Sequence, residues 1–438
     1  MSDAISRQAQ RPTAPKIRKL LRTFQGFVGG AALAAFFVTQ AQAVPAFTAQ
    51  TGQPCSGCHV GAFGPQLQPF ARQFKLEGYT MRGTDAFVVP VSAMAIASYL
   101  HTSKDQNPPP APHFSANDNA ALDQISVFLA GGIGRHFGGF VQTTYDPIGR
   151  NTTWDNLDLR AVTHATIAGS DTILGLTFNN SPGVQDVWNT LPAWGFAYTG
   201  SGLAPSPAAS TVFDGGFAQT ALGTSAYVFW DSAFYLEGGA YWSPERGILR
   251  AMGMQDHDGV GTISGAAPYI RLAYQKNFGA SNFELGAFGF FPRVFPGADS
   301  SIGTTDDYAD IGIDGSYQYI GDGKNTFQIN GRYTHENQKL GATFALGDAA
   351  KKDNSIQDAR ADASYYWHNL IGGTVEAFTT WGSSDTILYG ANRTFNPDST
   401  GLMLQADVTP FANGGSPLGN RFALRIGVQY TTYFKFNG

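Results

Sequence analysis

Alternation with a period of two restricts this chain more than any other feature. From Ala309 to Tyr319, Ile311, Ile313, Gly315, Tyr317 and Tyr319 take one face, and Asp310, Gly312, Asp314, Ser316 and Gln318 take the other. Phe327, Ile329, Gly331 and Tyr333 oppose Gln328, Asn330, Arg332 and Thr334. Ala359, Ala361, Ala363, Tyr365 and Trp367 oppose Arg360, Asp362, Ser364 and Tyr366, and Phe422, Leu424, Ile426, Val428 and Tyr430 oppose Ala423, Arg425, Gly427 and Gln429. Successive side chains of a strand point to opposite faces, so each stretch reads as a strand with one apolar face. Segments of about ten residues with aromatics near their ends are the pattern of outer-membrane strands. A soluble β-sandwich is the competing reading. Its outer face carries many charges, yet only 14% of this chain is charged, against about 25% in a typical soluble domain. The 53 glycines and 13% aromatic content also fit a transmembrane barrel.

Fifteen strands are expected, starting near residues 86, 122, 136, 157, 172, 216, 233, 263, 282, 307, 325, 356, 371, 400 and 421. Short turns near 134–135, 169–171, 230–232, 279–281, 321–323 and 368–369 alternate with long loops near 102–120, 147–156, 181–215, 244–262, 293–306, 337–355 and 383–399. Short periplasmic turns alternating with long outer loops is the barrel pattern. No segment after the amino terminus reaches the roughly 20 apolar residues of a membrane helix.

Residues 1–43 read as an export signal. Arg7, Arg11, Lys16, Arg18, Lys19 and Arg22 form a basic region, Phe24 to Thr39 an apolar run, and Ala41-Gln42-Ala43 a cleavage site. Removing them takes the 28 Lys/Arg and 33 Asp/Glu to 22 and 32, a net charge of −10. That balance argues against nucleic acid as a partner and favours attraction of cations.

Cys55-Ser56-Gly57-Cys58-His59 follows directly and holds the only two cysteines. It is the C-x-x-C-H attachment sequence for one covalent c-type haem: each thiol can take one vinyl group, and His59 can ligate the iron. Residues 44–85 read as a small haem domain. Pro65 is expected to open a helix whose apolar stripe is Leu67, Phe70, Ala71 and Phe74, with Gly78 as its stop. About forty residues cannot bury a self-sufficient core, so Phe70 and Phe74 are expected to cover the haem. The domain itself is expected to dock on or inside the barrel of residues 86–438. For the second axial position Met81 and Met94 are the candidates, with a vacant position as the alternative; His101 and His113 lie farther along. Asp310, Asp314, Arg332, Arg360, Asp362, Glu376 and Arg425 are expected to face the lumen as paired charges rather than as a metal cluster. No Ser/His/Asp, phosphate-loop or metalloprotease spacing stands out, so an electron-transfer cytochrome is expected rather than a conventional enzyme.

Three stretches carry a family resemblance: Val44-Pro45-Ala46-Phe47, Gln50-Thr51-Gly52, and Pro54 through Tyr79 including Phe63-Gly64-Pro65-Gln66-Leu67. They resemble the outer-membrane fused monohaem cytochrome–porins associated with bacterial Fe(II) oxidation. The resemblance implies that one haem accepts electrons from extracellular Fe(II), or another outside donor, and passes them to a periplasmic carrier. The rival reading is a solute porin with a haem-bearing plug. The expected fold is therefore an all-β transmembrane barrel of about 15–16 antiparallel strands with a small N-terminal α-helical haem domain, set in outer-membrane lipid. Bacterial single-chain barrels have an even strand number. With a periplasmic start the fifteenth strand ends outside, at Asn437-Gly438, so the reading expects a sixteenth strand that this sequence lacks.

Overall fold

A computed structural model describes residues 44–438 except 85, 87, 198, 255–258, 322, 420 and 421. The expected export signal lies outside the described residues. The strands are β1 (Val91–Leu100), β2 (Asn119–Ile133), β3 (Phe137–Asp146), β4 (Asn151–Ile167), β5 (Ser170–Asn179), β6 (Leu222–Trp230), β7 (Phe234–Trp242), β8 (Thr262–Ile263) and β9 (Ala267–Phe278). They continue with β10 (Ser281–Phe290), β11 (Arg293–Phe295), β12 (Asp306–Tyr319), β13 (Thr326–Leu340), β14 (Asp353–Trp367), β15 (Ile371–Gly382), β16 (Ser399–Val408) and β17 (Ile426–Lys435).

Fifteen of these are long, and each pairs antiparallel with the next long strand. Among the described residues no register joins β17 to β1. The other two, β8 and β11, are short and pair with each other, β8 where a loop was expected to give way to a strand and β11 at the start of an expected loop. Two or three residues are too few to show alternation, so the sequence pattern does not reveal them. The expected loop at 147–156 shrinks to a four-residue turn, because β3 and β4 stay paired up to Asp146 and Asn151.

The alternation sorts side chains as expected. On β12, Ile313 is 57% exposed and Asp314, one residue on, 3%. Leu129, Phe137, Leu176, Leu236, Leu285, Tyr365 and Val428 all point outward, while Arg271, Glu284, Asp310, Glu336 and Asp358 are buried within. This is the inverse of a water-soluble protein, where charges of that kind stay outside.

Residues 44–83 sit in the interior, and their contacts show that the sheet curls round them. Ala46 N donates to Ser92 on β1 at 3.0 Å, and Gly132 N on β2 donates to Gln50 Oε1 at 2.9 Å. Arg160 on β4 and Tyr227 on β6 donate to the carbonyls of Lys75 and Leu76 at 3.1 and 2.6 Å. Arg72 reaches Asn282 on β10 and Ser316 on β12, and Gln66 reaches Asp362 on β14 at 3.1 Å. A single ladder can touch one small segment from so many strands only by wrapping it.

The segment holds three helices: α1 (Pro45–Thr51), α2 (Cys55–Cys58) and α3 (Pro69–Leu76). The expected helix starts four residues later than Pro65. A residue before proline is pushed to extended backbone, and Gln68 sits at φ −75°, ψ 163° with Pro69 at the first helical position. Leu67 is therefore not on the helical stripe. It lies in an extended pairing with His59.

The longest connection, residues 180–221, was expected outside as a loop and instead folds inward. Val184, Val187, Trp188 and Leu191 are fully buried. Asp186 pairs with Arg271 of β9 at 3.0 Å, and Lys75 of α3 donates to Val184 O at 2.8 Å and Asn189 Oδ1 at 3.0 Å. A buried loop must satisfy its own backbone, and these side chains do so.

Candidate functional site

Cys55 and Cys58 open and close α2, and His59 N donates to Cys55 O at 2.9 Å. The peptide after it doubles back: Val60 N donates to Gln66 O at 3.0 Å and Gln68 N to Cys58 O at 2.8 Å. The reversal passes through Gly61 at φ 65°, where an added Cβ would stand 2.2 Å from the Tyr366 ring of β14. Only glycine fits there. Three residues that look like ordinary sequence, Gly61, Gln66 and Gln68, thus hold the motif in shape.

Cys55, Cys58 and His59 line one interior cavity of about 450 Å³. Pockets that hold small-molecule cofactors run from roughly 300 to 1,000 Å³. The two cysteines are not joined as a disulfide. Burial raises the Cys55 thiol, and burial together with the neighbouring Cys55 pushes the Cys58 thiol to about 12. Burial lowers His59 to about 4, against an opposing pull from the Gly64 backbone. The ring is therefore neutral at ordinary pH, the form that ligates metals. Its Nδ1 is buried with no hydrogen-bond partner. Two thiols and a neutral imidazole with a bare nitrogen on one apolar wall fit a covalently attached haem.

Aromatic rings form the rest of that wall. Phe47 meets Phe74 at 4.9 Å and stacks on Tyr79 at 5.3 Å, Tyr79 meets Phe140 at 6.0 Å, and Phe140 meets Trp194 at 6.2 Å. All five line the cavity. Of the residues singled out in the sequence, Phe74 and Met94 line it and Phe70 and Met81 do not. Phe70 lies on another side of α3. Met81 packs beside Ala46, Phe74 and Tyr79. His101, at the outer end of β1, pairs with Asp118 at 2.8 Å in solvent.

Sequence reasoning did not reach Lys75, Tyr79, Phe140 or Trp194 as cavity residues. Lys75 and Tyr79 stand in the quoted block, but their inward aim depends on partners elsewhere: Tyr79 OH donates to Asp158 Oδ2 at 2.6 Å. Trp194 comes from the inward segment, whose length is its only signal.

Of the charges expected to be paired, Asp314, Arg332, Arg360, Glu376 and Arg425 make ion pairs, while Asp310 and Asp362 do not. Asp314 pairs with Arg271 at 2.9 Å, Arg425 with Asp407 at 2.6 Å, and Arg360 with Asp358 at 3.2 Å. Asp362 is held by neutral amides, from Gln66 and Asn330. Among the described residues no three His, Cys, Asp or Glu side chains cluster for a metal ion.

No protein-family model matches the chain, and no curated protein does. Among solved structures it is similar to a loop-deletion mutant of OmpT, an outer membrane protein of Vibrio cholerae. That match has 11% identity and a TM-score of 0.40, covering 80% of this chain and 96% of that one. Outer-membrane expressed OmpT of Vibrio cholerae matches at 9% identity and a TM-score of 0.38, covering 80% and 99%. Likenesses this distant carry no argument about function.

Proposed function

We propose that this chain is an outer-membrane electron-transfer protein. In this reading it takes electrons from an extracellular donor, Fe(II), through one c-type haem and passes them to a periplasmic carrier. The observation that carries the reading is that Cys55, Cys58 and His59 face one cavity at the heart of a sheet whose outer surface is apolar. A sheet with apolar residues outward and charges inward belongs in lipid. No described helix is long and apolar enough to cross a membrane, so any crossing is made by strands.

When bound, the haem supplies one-electron exchange between ferrous and ferric iron. The chain's own residues do the rest. Cys55 and Cys58 would anchor the haem, and His59 would hold its iron. Phe47, Phe74, Tyr79, Phe140 and Trp194 keep the cavity apolar on one side. Low polarity and little solvent around such a centre tune its potential. Met94, which lines the same cavity, would be the methionine available as a second ligand to the iron. The acidic balance of residues 44–438 supports a cationic donor, as does the cytochrome–porin resemblance.

A solute porin with a haem-bearing plug is the competing function. The interior is filled by residues 44–83 and by the inward segment, which favours the conduit. Vesicles carrying the haem-loaded protein, with an electron acceptor trapped inside and Fe(II) added outside, separate the two. Reduction of the trapped acceptor supports the proposal. Passage of small sugars without acceptor reduction overturns it.

A further inference from the structure

Lys75 brings a buried amine to the wall of the cavity that Cys55, Cys58 and His59 line. It stands on α3, is 3% exposed, and holds its Nζ 5.1 Å from the centre of the Trp194 ring, another residue of that wall. The amine donates to Val184 O at 2.8 Å, Asp186 O at 2.5 Å and Asn189 Oδ1 at 3.0 Å. All three acceptors are neutral, and among the described residues no carboxylate makes an ion pair with it. Lysines this deeply buried are ordinarily paired.

The charged and titratable groups around it are engaged elsewhere. On β4, Asp158 closes on Arg160 at 2.9 Å and accepts from Tyr79 OH at 2.6 Å. On the inward segment, Asp186 closes on Arg271 of β9 at 3.0 Å. On β7, Glu237 accepts from the hydroxyls of Ser225 and Tyr235. On β6, Tyr227 OH donates to Leu76 O at 2.6 Å. Of its neighbours along the chain, Arg72 bonds to Asn282 and Ser316, and Glu77 pairs with His164 of β4. Burial lowers the amine to about 7, with Asp158 pulling back upward. A change of charge in the cavity therefore moves its proton on or off near neutral pH.

We propose that Lys75 takes up one proton when a haem in this cavity is reduced, so that the electron enters together with a compensating positive charge. The inference rests on the reading of the chain as a one-haem electron-transfer protein. In that step the donor's Fe(II) becomes Fe(III), the haem iron passes from ferric to ferrous, and the Lys75 amine takes one proton from solvent to become an ammonium. Oxidation by the periplasmic carrier returns both the electron and the proton. Such coupling is reciprocal: a proton held more tightly in the reduced protein means an electron held more tightly at low pH.

The test is a spectroelectrochemical titration of the full-length, haem-loaded protein in detergent, read in the haem absorption bands. In the wild type, affinity for the electron is expected to fall roughly tenfold between about pH 6 and about pH 9. For one electron a tenfold change is about 59 mV in potential. Lys75→Met carries no charge and is expected to stay flat near the wild type's high-pH value. Lys75→Arg keeps its proton throughout and is expected to stay flat near the low-pH value. If one variant does not fold, the other decides against the wild type. A wild-type potential that is flat with pH, or a variant that keeps the wild-type fall, overturns this inference alone. A folded protein that takes up no haem overturns the electron-transfer reading as well.

Discussion

Lys75 illustrates how a single residue in this interior is constrained. Its amine lies inside the fold and donates to the carbonyls of Val184 and Asp186 and the amide oxygen of Asn189, with the Trp194 ring 5.1 Å away. Burial lowers it from the ordinary lysine value to about 7, with Asp158 pulling back upward. A folded value below the unfolded one means the unfolded chain binds more protons between them, so stability rises with pH across that window. The amine is charged in both states below about 7. Above about 10.4 it is neutral in both. The stability of the wild type relative to Lys75→Met is therefore expected to increase from pH 7 toward pH 10, read by denaturant unfolding in detergent at several pH values. A difference that stays flat with pH contradicts this placement of the amine. None of it was legible in the sequence, where Lys75 is one polar residue on a short amphipathic helix. Cys55, Cys58 and His59 were legible because their chemistry depends on spacing along the chain. Lys75, Tyr79 and Trp194 were not, because their roles depend on Asn189, Asp158 and Phe140, which are distant in sequence.

At the scale of elements, the strands were the most legible part. Each carries its own period, and fifteen long strands were expected and are found. Boundaries moved: β17 starts at Ile426 rather than near 421, and α3 starts at Pro69 because proline shapes the residue before it. The inward course of 180–221 was hidden for the opposite reason. It has no period, and its docking sites, Arg271 and Lys75, lie on other elements. The strand faces make an exacting prediction. Ile313 on β12 points away from the interior, between inward Gly312 and Asp314. On a lipid-facing strand near the membrane midplane, a basic side chain destabilises by about 2–4 kcal/mol. On the surface of a soluble sheet such a change stays within about ±0.5 kcal/mol. Ile313→Lys is thus expected to destabilise the protein by roughly 2–4 kcal/mol in lipid vesicles, measured by reversible unfolding. A change below about 0.5 kcal/mol means that face does not meet lipid.

For the whole molecule, one geometric relation joins the parts. Residues 44–83 are too few to bury a core of their own, and the curled sheet has an interior to fill. Each supplies what the other lacks: Gln50, Gln66, Arg72 and Lys75 satisfy the wall and the inward segment, and the wall closes the cavity against which Cys55, Cys58 and His59 stand. The account depends on that cavity holding a covalently attached haem. The measurement that tests it most directly is the mass of the denatured chain after expression with export and haem-attachment machinery. The account predicts the mass of the processed chain plus one haem, resistant to acid–solvent extraction, and no addition in Cys55→Ala/Cys58→Ala. A processed chain of unmodified mass under those conditions would contradict it.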